Sequence, residues 1–326
     1  MPAATATATT STAGRAVVGR PCAIVRRLRP AAPQPSPVLA HPTPPGPCRG
    51  FFNPARAVQS SSAAAAAAGT SSPSSSSPSG ADTDYLALTN VTVQRTTDGV
   101  SVPLLSTFRA GPTDRTLLFI LTHAADLAPF ELVPRILKAL PRLTAAGVQV
   151  VFVVLGTPAN AAAFAARLDV PQSLLFADPT GSTHTALGFS KGFDPSAPKL
   201  NPYVRLAAML AGIGSPGTIL RVIKGYVGDK EGEPIFGPGP FDILGKGYQR
   251  PMERATQRLM SMGAVLSGWS ELAPPDAELL TRLGGCVALK GRATVLRHTD
   301  AGILDYVDLR EACGAVGAVK ALPEGA

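Results

Sequence analysis

Residues able to do acid–base chemistry gather at the end of an apolar run, LLFILTHAADLAPFE (117–131). The run begins like a buried strand and breaks at His123, and Asp126 follows where a helix would begin. A carboxylate at a helix N-terminus accepts unpaired backbone N–H groups and stabilises the helix by about 1 kcal/mol. It would also serve as a general base or nucleophile, with His123 orienting a bound group. The pair therefore predicts either acid–base chemistry or a helix cap beside a loop histidine.

Thiol chemistry has one principal candidate, Cys286, which follows Gly284-Gly285 at the start of an apolar segment. A thiol there would be open to modification or glutathionylation, and a buried structural cysteine is the alternative. Cys313 is interpreted as a packing residue of the last helix. The other two cysteines, Cys22 and Cys48, fall near the N-terminus, and the sequence contains no Cys-x-x-Cys. A disulfide framework is therefore not expected.

Other kinds of site lack the spacing they require. A metal site can be drawn from His123, Asp126, Asp178 and His184, but their spacing does not demand one. The glycine-rich stretch GIGSPG (212–217) follows a predicted helix and not a strand, which argues against dinucleotide binding. The sequence has no G-x-S-x-G at the end of a predicted strand, which argues against a serine nucleophile elbow. We predict no cofactor and no bound metal.

The first 81 residues contain no Asp, Glu or Lys but seven Arg, among many Ala, Ser, Thr and Pro. This composition is typical of an organelle transit peptide, and the Ser, Ala and Pro content favours the chloroplast. We therefore predict a transit peptide and linker over residues 1–80 and one mature domain over residues 81–326. A disordered tail is the alternative. Outside this segment 23 basic residues face 22 acidic ones, which argues against nucleic-acid binding.

The mature part alternates between apolar strands and amphipathic helices. Strands are predicted at 116–121, 148–155 and 173–177, with helices between them and a short helix at 183–187. Pro134 and Pro141 are expected to kink or end the first helix. A hairpin at 285–289 and 293–298 and a helix at 306–319 close the chain. The order is β-α-β-α-β, a helical and loop insertion at about 193–276, then β-β-α. This is an α/β, thioredoxin-like layout.

Several short stretches together resemble the peroxiredoxin-like AhpC/TSA antioxidant proteins of the thioredoxin-like superfamily, including plastid members. They are LLFILTHAADLAPFE (117–131), PRLTAAGV (141–148), GTP (156–158), LFADP (175–179), LG (187–188) and GG (284–285). The resemblance covers about residues 116–192 and 281–316. It implies that the family's Cys-x-x-Cys positions fall on Asp126 and Pro129. Neither is a cysteine, so the family's usual chemistry is not expected at this loop.

Two functions follow from this resemblance and stay open. In the first, the protein is not an enzyme and binds another protein through the insertion 193–276, in the stroma or at the stromal side of the thylakoid. In the second, it retains antioxidant thiol activity through Cys286. No run approaches the ~18 apolar residues that a membrane span needs, so any thylakoid contact would be peripheral. Arg250, Arg254 and Arg258 form a stripe that would contact either an anionic surface or the main domain.

Overall fold

The computed structural model describes residues 82–196, 200–232 and 234–322. All of them belong to one compact unit that spans Thr70–Ala326. The predicted transit peptide and linker, residues 1–80, lie outside the described residues. The expected mature domain is therefore the part of the chain that can be compared with the structure.

One mixed sheet of seven strands forms the centre of the described chain, in the order β2-β1-β5-β4-β3-β6-β7. The strands are β1 (Thr92–Arg95), β2 (Ser101–Pro103), β3 (Arg115–His123), β4 (Val148–Leu155), β5 (Leu175–Asp178), β6 (Gly285–Lys290) and β7 (Ala293–Thr299). Strands β3, β4 and β5 are parallel, and β6 and β7 add to β3 as an antiparallel hairpin. The predicted thioredoxin-like layout is confirmed, with the β1–β2 hairpin added antiparallel to β5.

Nine α-helices surround this sheet in the described residues. They are α1 (Thr83–Ala87), α2 (Leu127–Ala145), α3 (Pro158–Leu168), α4 (Ser182–Ala186), α5 (Pro202–Leu210), α6 (Thr218–Val227), α7 (Glu253–Ser267), α8 (Trp269–Leu272) and α9 (Leu309–Ala315). Short 3-10 segments lie at Leu104–Ser106, Gln172–Leu174, Pro240–Leu244, Ala277–Thr281 and Val319–Ala321. The segment 193–276 supplies α5 to α8, so its predicted helix-and-loop character is confirmed.

Alternation along the central strands divides the buried side chains between two cores. Phe119 and Phe152 stack at a centroid distance of 5.6 Å in the core that α2, α3 and α9 cover. Their neighbours Leu118 and Val151 face the other core, which contains residues of β1 and Phe189. Because β3 and β4 are covered on both faces, they need the continuous apolar sequence that first identified them as strands.

Helix α2 differs from its prediction because both of its prolines lie inside it. Pro134 is half-buried and Pro141 is exposed, so the backbone carbonyls that lose their N–H partners face outward. The opposite face keeps Phe130, Val133 and Ile136 buried in the core. Burial of that face offsets the local cost of the prolines, and the helix continues for 19 residues.

The last helix is shorter than predicted because two residues fix its ends. The Asp308 carboxylate accepts hydrogen bonds from the N–H groups of Arg310 and Glu311, at 2.7 and 3.1 Å, so α9 begins only at Leu309. Gly317 has a positive φ of 71°, and a 3-10 segment follows it. Helix α3 also begins at a side-chain cap, since Thr157 accepts a hydrogen bond from the N–H of Asn160.

Candidate functional site

The loop between β3 and α2 places His123 at the end of the strand and Asp126 at the start of the helix. Asp126 is the N-cap of α2: its carboxylate accepts hydrogen bonds from the N–H of Leu127 and from the hydroxyl of Thr122, both at 2.6 Å. Its own N–H donates to the His123 carbonyl. Both carboxylate oxygens are therefore engaged in holding the loop, which is the geometry of a helix cap.

His123 is buried, with 3% of its surface exposed. Burial lowers the pKa of its imidazole, while the charge of Asp126 and a hydrogen bond with the backbone of Leu280 oppose this shift. Its ring meets Trp269 edge to face, with centroids 6.5 Å apart. Its Nδ1 atom is buried and has no hydrogen-bond partner among the described residues. The structure thus places a neutral histidine with an unused polar atom beside the capped helix.

Helices of the segment 193–276 pack against this loop and leave between them a cavity of about 180 Å³ that is partly open to solvent. His123, Ala125 and Asp126 lie at its base, and α5, α7 and α8 supply its walls. The walls are apolar, and they include Met209, which has no exposed surface. The loop where the resemblance implies a cysteine is therefore lined by a carboxylate, a neutral imidazole and hydrocarbon.

Cys286 lies in the interior of the sheet and not at this loop. It is paired with Phe119 on β3 and with His298 on β7, and none of its surface is exposed. Burial raises the pKa of its thiol, and the charges of Asp300 and nearby groups raise it further. Burial likewise raises the pKa of Cys313 on α9 to about 11. A thiol of this kind carries almost no thiolate at neutral pH, so the packing interpretation fits both cysteines.

Asp178 and His184 lie at the same end of the sheet as the loop 122–126 but on the opposite face, where His184 contacts Phe189. The Asp178 carboxylate accepts hydrogen bonds from the N–H groups of Ser182 and Thr183, so it caps α4. His184 Nε2 lies 3.1 Å from the Leu121 carbonyl oxygen, and burial lowers its pKa to about 4. The described residues contain no group of three His, Cys, Asp or Glu side chains that could hold a metal ion.

A family model described as AhpC/TSA antioxidant enzyme matches residues 135–302, which is more than half of the chain. The chain belongs to the AhpC/TSA family. The match begins within α2, after the loop 122–126, and ends just beyond β7. It therefore includes β4, β5 and the last hairpin but not the loop itself, so the equivalence of Asp126 with a family cysteine stays a prediction. No curated protein matches the chain.

Within this AhpC/TSA domain, one buried carboxylate attaches the segment 193–276 to helix α2. Glu131 has no exposed side-chain surface and pairs with Arg254 at 3.3 Å and with Arg258 at 2.5 Å. The hydroxyl of Tyr306 donates to the same carboxylate at 2.9 Å. Arg250 is likewise buried, between Glu253 and Asp242. The arginine stripe therefore contacts the protein itself, and the alternative of an anionic surface for these arginines is wrong.

Three residues of this region were not singled out from the sequence. Glu131 is the only acidic residue in α2, and its place among apolar neighbours was an available signal. Trp269 is the only tryptophan of the chain, but nothing in its surroundings predicts that it lies beside His123. Asp300 follows β7, and burial raises its pKa to about 6 while His298 opposes the shift. No helix in the described residues is long and apolar enough to cross a membrane.

Proposed function

We propose that this AhpC/TSA-family chain is a plastid protein that has lost its redox cysteines and binds another protein through helix α6. The observation that carries the proposal is the inverted pattern of that helix. Thr218, Arg221 and Gly225 contact the rest of the protein, and the apolar side chains face outward. The exposed ones are Ile219, Leu220, Val222, Ile223, Tyr226 and Val227.

Gly225 accounts for the close approach of the contacting face. A Cβ atom at this position would lie 3.0 Å from Nη1 of Arg258 on α7. Arg258 in turn donates to the Arg221 carbonyl at 2.9 Å and pairs with Glu131. The helix is thus held by polar groups along one narrow stripe. Most of its apolar side chains face away from this attachment, which is the reverse of an ordinary surface helix.

The surrounding segment shows the same bias. Among the described residues, 21 large apolar side chains are exposed, and 18 of them belong to the segment 193–276. The three outside it are Leu86, Val100 and Val319. Contiguous exposed apolar surface of this kind marks interaction sites in folded proteins. A partner that covers α6 would remove this surface from water, which is the main favourable contribution to protein association.

The competing function, antioxidant activity through Cys286, is supported less well. A peroxidatic cysteine needs a thiolate that a peroxide can reach. Cys286 has no exposed surface, and burial raises the pKa of its thiol. Peroxide consumption by the wild type and by Cys286→Ser, with thioredoxin or glutathione supplied, tests this function directly. We expect no turnover by either protein, and turnover that depends on Cys286 would overturn the proposal.

The binding function is tested by recovery of proteins from chloroplast extracts on immobilised protein. We expect the wild type to retain a specific protein. The amount recovered on Ile223→Asp should be at least about tenfold lower, because a charge would be buried in an apolar contact. Val100→Asp is the matched control, since Val100 is exposed to a similar degree (47% against 51%) but lies outside the segment. Equal recovery by all three proteins, or binding to lipid vesicles instead of a protein, would contradict the proposal.

A further inference from the structure

We infer that the cavity between the loop 123–126 and helices α5, α7 and α8 binds a small apolar molecule that carries one hydroxyl group. This site goes beyond the proposed protein-binding function, and it does not involve helix α6. It occupies the place where the resemblance implies redox chemistry, but it uses hydrocarbon and a neutral imidazole instead of a thiol.

The size and the walls of the cavity indicate an apolar occupant. Its volume is about 180 Å³. The side chains that line it include Leu206, Met209, Met262, Val265, Trp269 and Leu280. An engineered apolar cavity of about 150 Å³ stays dry and binds benzene. A molecule slightly larger than benzene therefore fits here, and hydrocarbon walls favour it over water.

His123 specifies the polar group of the occupant. The other polar groups at the cavity already have partners: Thr281 donates its hydroxyl to the Lys191 carbonyl, and Arg282 donates to the Gly181 carbonyl. The carboxylate of Asp126 is engaged with its own loop, as described above. Among the side chains that line the cavity, His123 alone has a buried polar atom, Nδ1, without a hydrogen-bond partner in the described chain.

A hydroxyl is the group that completes this environment in either tautomer. A neutral imidazole has one nitrogen that donates and one that accepts, and a hydroxyl can do both. Burial lowers the pKa of His123, so a neutral ring is expected at physiological pH. A carboxylate ligand would instead enter beside the Asp126 carboxylate, where like charges repel each other. The occupant is therefore an uncharged alcohol of compact shape.

Trp269 provides a direct measurement, because it lines the cavity and is the only tryptophan of the chain. The full chain is titrated with cyclohexanol and with methylcyclohexane, which have nearly the same shape and differ in the hydroxyl. We expect saturable changes of tryptophan fluorescence with both molecules, and the ratio of the cyclohexanol affinity to the methylcyclohexane affinity in the wild type is the reference value for the variants, because the hydroxyl also loses its contacts with water on binding. No saturable change with cyclohexanol would overturn the inference.

Two variants identify the site. His123→Leu keeps the cavity apolar but removes the hydrogen bond, so the ratio of the cyclohexanol affinity to the methylcyclohexane affinity should fall at least about fivefold below its wild-type value. Ala125→Leu fills the cavity and should abolish the response to both molecules. If that variant does not fold, the ratio in His123→Leu still decides the question. Ile223→Asp is the control: it disrupts the proposed protein-binding surface and should leave both affinities unchanged. A ratio in His123→Leu that equals the wild-type ratio would contradict the assignment.

Discussion

The loop 122–126 and the two buried cysteines contribute to the same core but differ in the two properties that thiol chemistry requires. The loop borders a cavity and carries the start of α2, yet it contains no sulfur. Cys286 and Cys313 carry sulfur, yet both are fully buried and both have raised pKa values. Reactivity needs a thiolate and access together. Among the described residues the two properties occur in different places, which is the reason that we propose a function without thiol chemistry.

The largest expected effect is a difference in alkylation rate between these two regions. Asp126→Cys places a thiol at the helix N-terminus, where the helix dipole lowers its pKa, beside the cavity. Cys286 reacts only when the sheet opens, and an opening free energy of about 4 kcal/mol slows its labelling about a thousandfold. Iodoacetamide labelling followed by mass analysis of peptides measures both sites in one sample, with Cys313 as an internal control. Equal rates at position 126 and at Cys286 would contradict the comparison.

The next effect concerns the ion pairs of Glu131, which hold α7 on α2 beside the loop 122–126. Glu131→Ala removes a buried carboxylate and leaves Arg254 and Arg258 without their partner, so the free energy of unfolding should fall by about 3–5 kcal/mol. Urea unfolding measures this change. Glu271→Ala is the matched control, since Glu271 is 65% exposed and pairs with Arg167 at the surface. That pair should contribute at most about 1 kcal/mol. Similar losses in both variants would mean that the Glu131 cluster is not a buried anchor.

A third effect, of about 3 kcal/mol at most, is the acid sensitivity of the buried histidines. His184 has a pKa of about 4 in the folded protein against 6.5 when unfolded. Its contribution to stability is present above pH 6.5 and is lost as the pH falls towards 4. His184→Gln can still donate to the Leu121 carbonyl, and it should flatten the fall in unfolding free energy across this range. An unchanged pH profile would show that His184 is protonated in the folded state.

His298 offers the matched control for that pH profile. Burial alone would lower the pKa of its imidazole. The neighbouring Asp300 carboxylate raises this pKa, and the net shift is upward. A raised pKa contributes stability at low pH that is lost as the pH rises. His298→Gln should therefore make the protein more acid-sensitive, which is the opposite of the effect at His184. Parallel changes in the two variants would point to a loss of packing instead of titration.

The smallest effect separates a cap from a catalytic base at Asp126. Asp126→Ala loses the hydrogen bonds to Leu127 and Thr122, and the free energy of unfolding should fall by about 1 kcal/mol. Asp126→Asn keeps an acceptor oxygen and should cost only a few tenths of that amount. Thermal unfolding of the two variants measures the difference. An increase in stability on either substitution would indicate a strained functional group and would favour the acid–base alternative.

The sequence was sufficient to predict those strands and helices that depend on one local sequence pattern. Continuous apolar runs identified β3 and β4, because strands covered on both faces leave no polar position. Thr157 followed by Pro158 is likewise a local pattern that is sufficient to indicate the start of α3, because it meets the needs of a helix N-terminus. Helix α2 was harder, since the local cost of two prolines is outweighed by core contacts that no local pattern reveals. Tertiary packing decided this element.

The candidate site was predictable only in part, for a related reason. His123 and Asp126 are neighbours along the chain, so their proximity follows from sequence. The cavity depends on Met209 and Trp269, which are more than 80 residues further along and reach the loop only through the folded segment 193–276. The arginines of α7 were visible as a stripe, but their partner Glu131 precedes Arg254 by 123 residues. Spacing cannot reveal contacts of this length.

The Glu131 cluster also bears on how the protein unfolds. One carboxylate connects α2 to two arginines of α7 and to Tyr306, just before the last helix, so three distant parts of the chain meet at one buried charge. If α7 or the segment at Tyr306 detaches from α2, the Glu131 carboxylate loses partners inside the core. The free energy of such a partial opening should then be close to that of opening the whole unit. We therefore expect the backbone amides of α7 to exchange with deuterium together with those of α2, as one cooperative unit. The segment 193–276 would then be an inseparable part of the domain and not an appendage.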